Sequence, residues 1–93
     1  MRLTIAPTFV AALKKLPPDR QRAVKSCLLR FQTEPALPSL HFRPLAGKGG
    51  YFIISAAHGD RVILRREDGD AFTAVDVGPH ENVYRRWDNP RRR

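Results

Sequence analysis

The stretch that decides the fold is Phe72-Thr73-Ala74-Val75-Asp76-Val77-Gly78-Pro79-His80-Glu81-Asn82-Val83-Tyr84-Arg85-Arg86-Trp87. Its first six residues are β-branched, aromatic or small, the composition of a strand. Gly78 and Pro79 stop that strand. A histidine and a tyrosine four residues apart follow, with two arginines directly behind the tyrosine. Imidazole and phenol both move protons, and guanidinium binds phosphate through two parallel hydrogen bonds. On a small basic chain, this grouping points to RNA chemistry or RNA binding at the end of a sheet.

Upstream lie two more strand-like runs, residues 51–56 and 61–66, turned by His58-Gly59-Asp60. Asp68-Gly69-Asp70 carries an Asp-Gly hairpin signal and leads into a third strand over residues 71–77. Arg65 and Arg66 are neighbours in a strand, so they point to opposite faces and at most one faces a given cleft. Gly47-Lys48-Gly49-Gly50 is a flexible turn. Residues 40–45 are extended but interrupted by Pro44, and residues 34–39 form a proline-spaced linker. Before the linker, Val24, Cys27, Leu28 and Phe31 make the apolar stripe of a helix over residues 18–33, with Arg20, Arg22, Lys25 and Arg30 on its outer face. Pro18 suits the first turn of that helix. Phe9, Ala12, Leu13 and Leu16 mark the face of a shorter helix, with Thr8 as its expected N-cap. Arg2-Leu3-Thr4-Ile5-Ala6 alternates like a half-buried strand. The expected fold is α+β, a single domain over residues 1–93. An antiparallel sheet carries a two-helix hairpin on one face, in the order β-α-α-β-β-β with a short C-terminal helix over residues 81–87.

At 93 residues, the chain supports one modest core. Its net charge is +8, and 13 of its 17 basic residues are arginine, which favours polyanionic partners. The charge is uneven: residues 1–48 carry +7, residues 49–84 carry −3, and residues 85–93 carry +4. The helical half and the Arg91-Arg92-Arg93 tail are therefore the expected anion-facing surfaces. Cys27 is the only cysteine, which excludes an intramolecular disulfide, and its helical register points to core packing. A reducing cytoplasm fits this usage. The N-terminus has no apolar run of signal-peptide type, and no segment has the length to span a bilayer. His41, His58 and Cys27 match no recognised metal-ligand spacing, so neither a metal nor another cofactor is expected.

Several stretches in order resemble the RelE/ParE superfamily of toxins from bacterial type II toxin–antitoxin modules. They are Phe9-x-x-x-Leu13-x-x-Leu16-Pro17, a basic helix ending in Phe31-x-x-x-Pro35, and Pro38-Ser39-Leu40-His41-x-x-x-Leu45-x-Gly47. Tyr51 opening a strand, Arg61-Val62-Ile63 in the next, and Val77-Gly78-x-His80-x-x-Val83-Tyr84 complete the string. The resemblance implies a sheet covered by two helices on one side, with a basic cleft on the other. It further implies a cytoplasmic toxin with a cognate antitoxin as partner. RelE-type members cut messenger RNA in the ribosome without a metal, inhibiting translation. ParE-type members inhibit DNA gyrase instead, and a third possibility is a member that only binds its antitoxin.

By the same resemblance, Arg61 matches an arginine that faces the phosphate, and Tyr84 a residue near the C-terminus that serves RNA chemistry or base stacking. His80 lies where relatives carry a polar or basic residue. Arg61, His80 and Tyr84 are the expected catalytic set, with Arg43, Lys48, Arg65, Arg85 and Arg86 as expected RNA contacts. Each has a structural alternative. Arg61 could pair with Asp60, Asp76 or Glu81, His80 could cap the last helix, and Tyr84 could pack against the sheet. Trp87 reads as a packing anchor. RelE-type enzymes also place lysines on the strand that here starts at Tyr51. Phe52 and Ile54 look like the corresponding positions, and both are apolar.

Overall fold

The computed structural model describes residues 1–87; the Arg91-Arg92-Arg93 tail lies outside the described residues. The chain opens with β1 (Arg2–Ile5), then α1 (Pro7–Leu13) and α2 (Pro18–Thr33). Pro7 and Pro18 each stand in the first turn of a helix, where a missing N–H leaves no hydrogen bond unmade. Thr8 does not cap α1. Ala6 holds the cap position, and the Thr8 hydroxyl donates to the Val75 carbonyl at 2.6 Å, tying the helix to the sheet. After a short 3₁₀ turn at Pro38–Leu40 come β2 (Arg43–Pro44), β3 (Tyr51–Ser55), β4 (Asp60–Asp68), β5 (Ala71–Pro79) and α3 (His80–Trp87).

The five strands form one sheet in the order β1-β5-β4-β3-β2. Three pairings are antiparallel. The β1–β5 pairing is parallel, with Leu3 opposite Phe72, so the sheet is mixed. A parallel pair needs a crossover between its strands, and most of the chain supplies it. The Gly69 hairpin turn has φ +53°, where the absence of a Cβ removes the steric penalty.

Alternation along the strands sorts side chains onto two faces. Ile54, Val62, Leu64, Phe72, Ala74 and Val77 pack against Phe9, Leu16, Val24, Cys27, Leu28 and Phe31 of the helices. Phe31, Phe42, Phe52 and Phe72 meet there with centroids 5.1–5.9 Å apart, mostly edge-on. Burial of a Phe such as Phe31, which is fully enclosed, contributes about 1.5–3 kcal/mol. Cys27 sits in this core with its Sγ 3.4 Å from the Ser55 carbonyl, and burial pushes its thiol up to about 11. One ion pair closes the helix side: Arg20 of α2 reaches both carboxylate oxygens of fully buried Asp60, at 3.0 and 2.6 Å.

The opposite face has a smaller apolar cluster of Leu45, Ile53, Ile63, Val75 and Val83, bordered by Tyr51, Tyr84 and Trp87. A β-bulge shapes it. Ile63 pairs with Asp76 and Leu64 with Ala74, which leaves Val75 as an extra residue. Val75 and Asp76 therefore both serve the α3 side. Asp76 accepts from the Val77 amide (2.9 Å), Arg86 Nε (2.9 Å) and Trp87 Nε1 (2.7 Å), and so fastens α3 to the sheet.

Candidate functional site

The sheet end where β3 stops, β4 starts and β5 stops is the meeting point of the sequence-selected groups. Arg61 pairs across the strands with Ser55 on one side and Gly78 on the other. His80 is the first residue of α3, directly after β5. It neither lies in a loop nor stays apart from Tyr84: the two rings stand 4.2 Å apart, centroid to centroid, edge to face at 85°. One turn separates them along α3, which puts them on a common side.

Arg43 joins this pair from β2. Its Nη2 donates to the Tyr84 hydroxyl and its Nη1 to the His41 carbonyl at 2.7 Å. His41 itself has a left-handed backbone (φ 52°, ψ 42°) at the end of the 3₁₀ turn, a region His visits more readily than most residues. Arg61 lines one groove of about 450 Å³ with His41, Phe42, Arg43 and Ser55. A second groove of about 390 Å³ runs on from it past His41 and Ser39 to Arg30 of α2.

Arg61 lines both grooves. Its Nη1 donates to the Asp60 carbonyl at 3.3 Å, while its Nε is shut away from solvent with no hydrogen-bond partner. The three carboxylates expected as alternatives do not take its charge among the described residues. Asp60 is held by Arg20, Asp76 by Arg86 and Trp87, and Glu81 is exposed on α3. A half-buried guanidinium that lines a groove and meets no carboxylate among the described residues favours an incoming anion.

The remaining expected RNA contacts divide. Arg85 is exposed on α3. Arg86 is bound to Asp76 at 2.8 Å, so its charge is already matched. Arg65 points to the α3 side and lies 2.9 Å from Glu67, while Arg66 lies 5.9 Å over the Phe72 ring on the helix side. The Glu67 carboxyl is held below its usual range by the Thr73 hydroxyl and then by Arg65. Lys48 stands away from the Arg61 groove, above Tyr51 and Trp87.

Phe52 and Ile54 are corrected as cleft positions. Both side chains belong to the helix-side core, where strand alternation sends them. The α3-side positions of β3 are Tyr51, Ile53 and Ser55, so β3 brings no cation to the site in either phase. Sequence reasoning also missed His41 and Ser55 as lining groups, and the Arg43–Tyr84 bond. That bond spans 41 residues, and no local pattern signals it.

No protein-family model matches the chain, and no curated protein matches it in sequence. Solved structures do. The RelB–RelE antitoxin–toxin complex from Methanococcus jannaschii aligns with a TM-score of 0.69 at 21% identity, covering 89% of this chain and 96% of that one. The RelBE2 toxin–antitoxin complex from Mycobacterium tuberculosis gives 0.67 at 23% identity, over 85% and 96%. A substituted E. coli RelE toxin in the free state gives 0.68 at 16% identity, over 99% and 97%. The helix hairpin, the five-stranded sheet and the helix that closes it are thus the fold seen in these RelE toxin structures.

Proposed function

We propose that this chain is the toxin of a type II toxin–antitoxin module and that it cuts messenger RNA on the ribosome through the Arg61 groove. The observation that carries the reading is the joining of Arg43, Tyr84 and His80 beside an Arg61 whose charge no carboxylate matches among the described residues. The fold likeness to RelE toxins supports it. In the proposed reaction the ribose 2′-oxygen attacks the adjacent phosphorus. The bond to the 5′-oxygen breaks, leaving a 2′,3′-cyclic phosphate and a 5′-hydroxyl. Arg61 and Arg43 stabilise the charge that grows on the phosphoryl oxygens. His80 and Tyr84 take the proton from the 2′-hydroxyl and return one to the departing oxygen.

A cognate antitoxin is part of the same proposal, supported by the toxin–antitoxin complexes among the structural neighbours. Expression of the chain alone should arrest bacterial growth, and primer extension on cellular messenger RNA should reveal new 5′ ends. One observation favours gyrase inhibition instead: β3 offers no lysine or arginine to the site. Growth arrest without new RNA ends, accompanied by gyrase-linked DNA breaks, would establish that second reading and remove the first.

A further inference from the structure

At the far end of α3 from His80 lies a cavity of about 760 Å³, within the size of small-ligand pockets. Tyr51 and Trp87 form its aromatic wall, with ring centroids 5.3 Å apart at 38°. Lys48 Nζ stands 5.9 Å from the Tyr51 ring centre and 5.7 Å from that of Trp87. Arg65 and Arg86 also line the cavity, but Glu67 and Asp76 engage them, whereas Lys48 meets no carboxylate among the described residues. The Trp87 indole is fixed at one edge by its bond to Asp76, and both aromatic rings remain half-buried. A fixed, partly open aromatic pair beside a cation matches a nucleotide, whose base has a π-face and whose phosphate carries charge.

We infer that Lys48, Tyr51 and Trp87 form a second nucleotide subsite, in which one base of single-stranded RNA stacks on the aromatic pair while its phosphate meets Lys48. The inference rests on the proposed function for the choice of RNA as ligand. The trace through the two sites then runs along α3, from its first residue to its last. Arg61 and Tyr84 act on the phosphate that is cut, and this subsite holds a nucleotide away from the cut and sets sequence preference by stacking strength.

Trp87 is the chain's only tryptophan, so its fluorescence reports on this subsite directly. The full-length chain is titrated with a short single-stranded RNA that carries 2′-deoxy substitutions and so resists cleavage. Fluorescence gives occupancy, and the anisotropy of a dye on the RNA gives total binding. The expected result is saturable quenching, weakened about 5- to 100-fold by Tyr51→Leu. Lys48→Glu, an exposed turn position that does not endanger folding, should weaken it as well. An abasic strand of equal charge should bind without quenching. Arg61→Ala should abolish cleavage but retain quenching. Quenching by a wild-type chain that makes no RNA ends also supports the subsite while removing the nuclease reading. Full RNA binding by anisotropy with unchanged Trp87 fluorescence, and equal affinity for the abasic strand, overturns the subsite. Quenching by an acidic peptide but not by RNA overturns it too and marks a protein-docking face.

Discussion

The two faces of the sheet follow different rules. On the helix side, fourteen buried residues, most of them from two helices and three strands, interlock, and the buried carboxylate there, Asp60, is bonded to Arg20 at both oxygens. On the α3 side, five buried residues support a layer in which Arg43, Arg61, Tyr84 and His80 hold the surface. The first face meets its polar needs internally. The second leaves Arg61, which lines an open groove, with an unmet Nε and no carboxylate partner among the described residues. On the proposed function, stability and chemistry are divided between the faces, and substitutions should separate them.

The largest expected effect tests the open face. Arg61→Ala or Tyr84→Phe should lower RNA cleavage about 100- to 10,000-fold, the span of a single acid–base or charge-stabilising group. Thermal unfolding and antitoxin co-purification should stay close to wild type. A large fall in melting temperature for either variant would show that the faces are not separable. Phe31→Ala is the counterpart. It should cost about 3–5 kcal/mol in denaturant unfolding while activity per folded molecule is kept. Arg20→Ala comes next. It strips buried Asp60 of its partner, and about 3 kcal/mol should be lost, largely recovered when Asp60 is also made Asn. If the double variant were as unstable as the single one, the unpaired charge would not be the cause.

The smallest effect concerns Cys27. Its thiol is pushed up from 9.0 to about 11 by burial, so the folded state holds the proton more tightly than the unfolded chain. The stabilisation linked to that proton is full below about pH 9 and is lost as pH rises toward 11. The loss amounts to roughly 2–3 kcal/mol. Cys27→Ala should be less stable at neutral pH, yet its alkaline decline should be shallower than that of the wild type. Parallel declines would exclude Cys27 as the source.

The helix face was legible because its signals are local. Proline pairs and three-four spacing delimit α2 as Pro18–Thr33, and the Asp-Gly turn places β4 against β5. The parallel docking of β1 was not legible, since strand direction depends on the crossover and not on the strand's own residues. Residues 40–45 read as extended, but only Arg43 and Pro44 pair in the sheet. At the site, the post-strand stretch reveals Tyr84 and His80 as a pair on α3. Arg43 was visible only as a basic residue, because its tie to Tyr84 arises from folding. Assigning Phe52 and Ile54 to the cleft failed for a related reason: a strand read alone does not tell which of its two phases faces which layer.

The extra residue in β5 acts as a frameshift within one strand. Before Val75, odd-numbered positions such as Thr73 face α3; after it, even-numbered ones such as Asp76 and Gly78 do. A single-residue deletion at Val75 would restore strict alternation and leave both halves on their present faces, because Asp76 would then adjoin Ala74 just as Ile63 adjoins Leu64. Val77 would stay in the helix-side core, and the carboxylate that anchors the last helix would stay beneath it. The cost would be one apolar side chain from the cluster under α3. Elsewhere in β5 the same deletion would turn every following side chain to the other layer, so this is the point where the strand should best accept a shorter length.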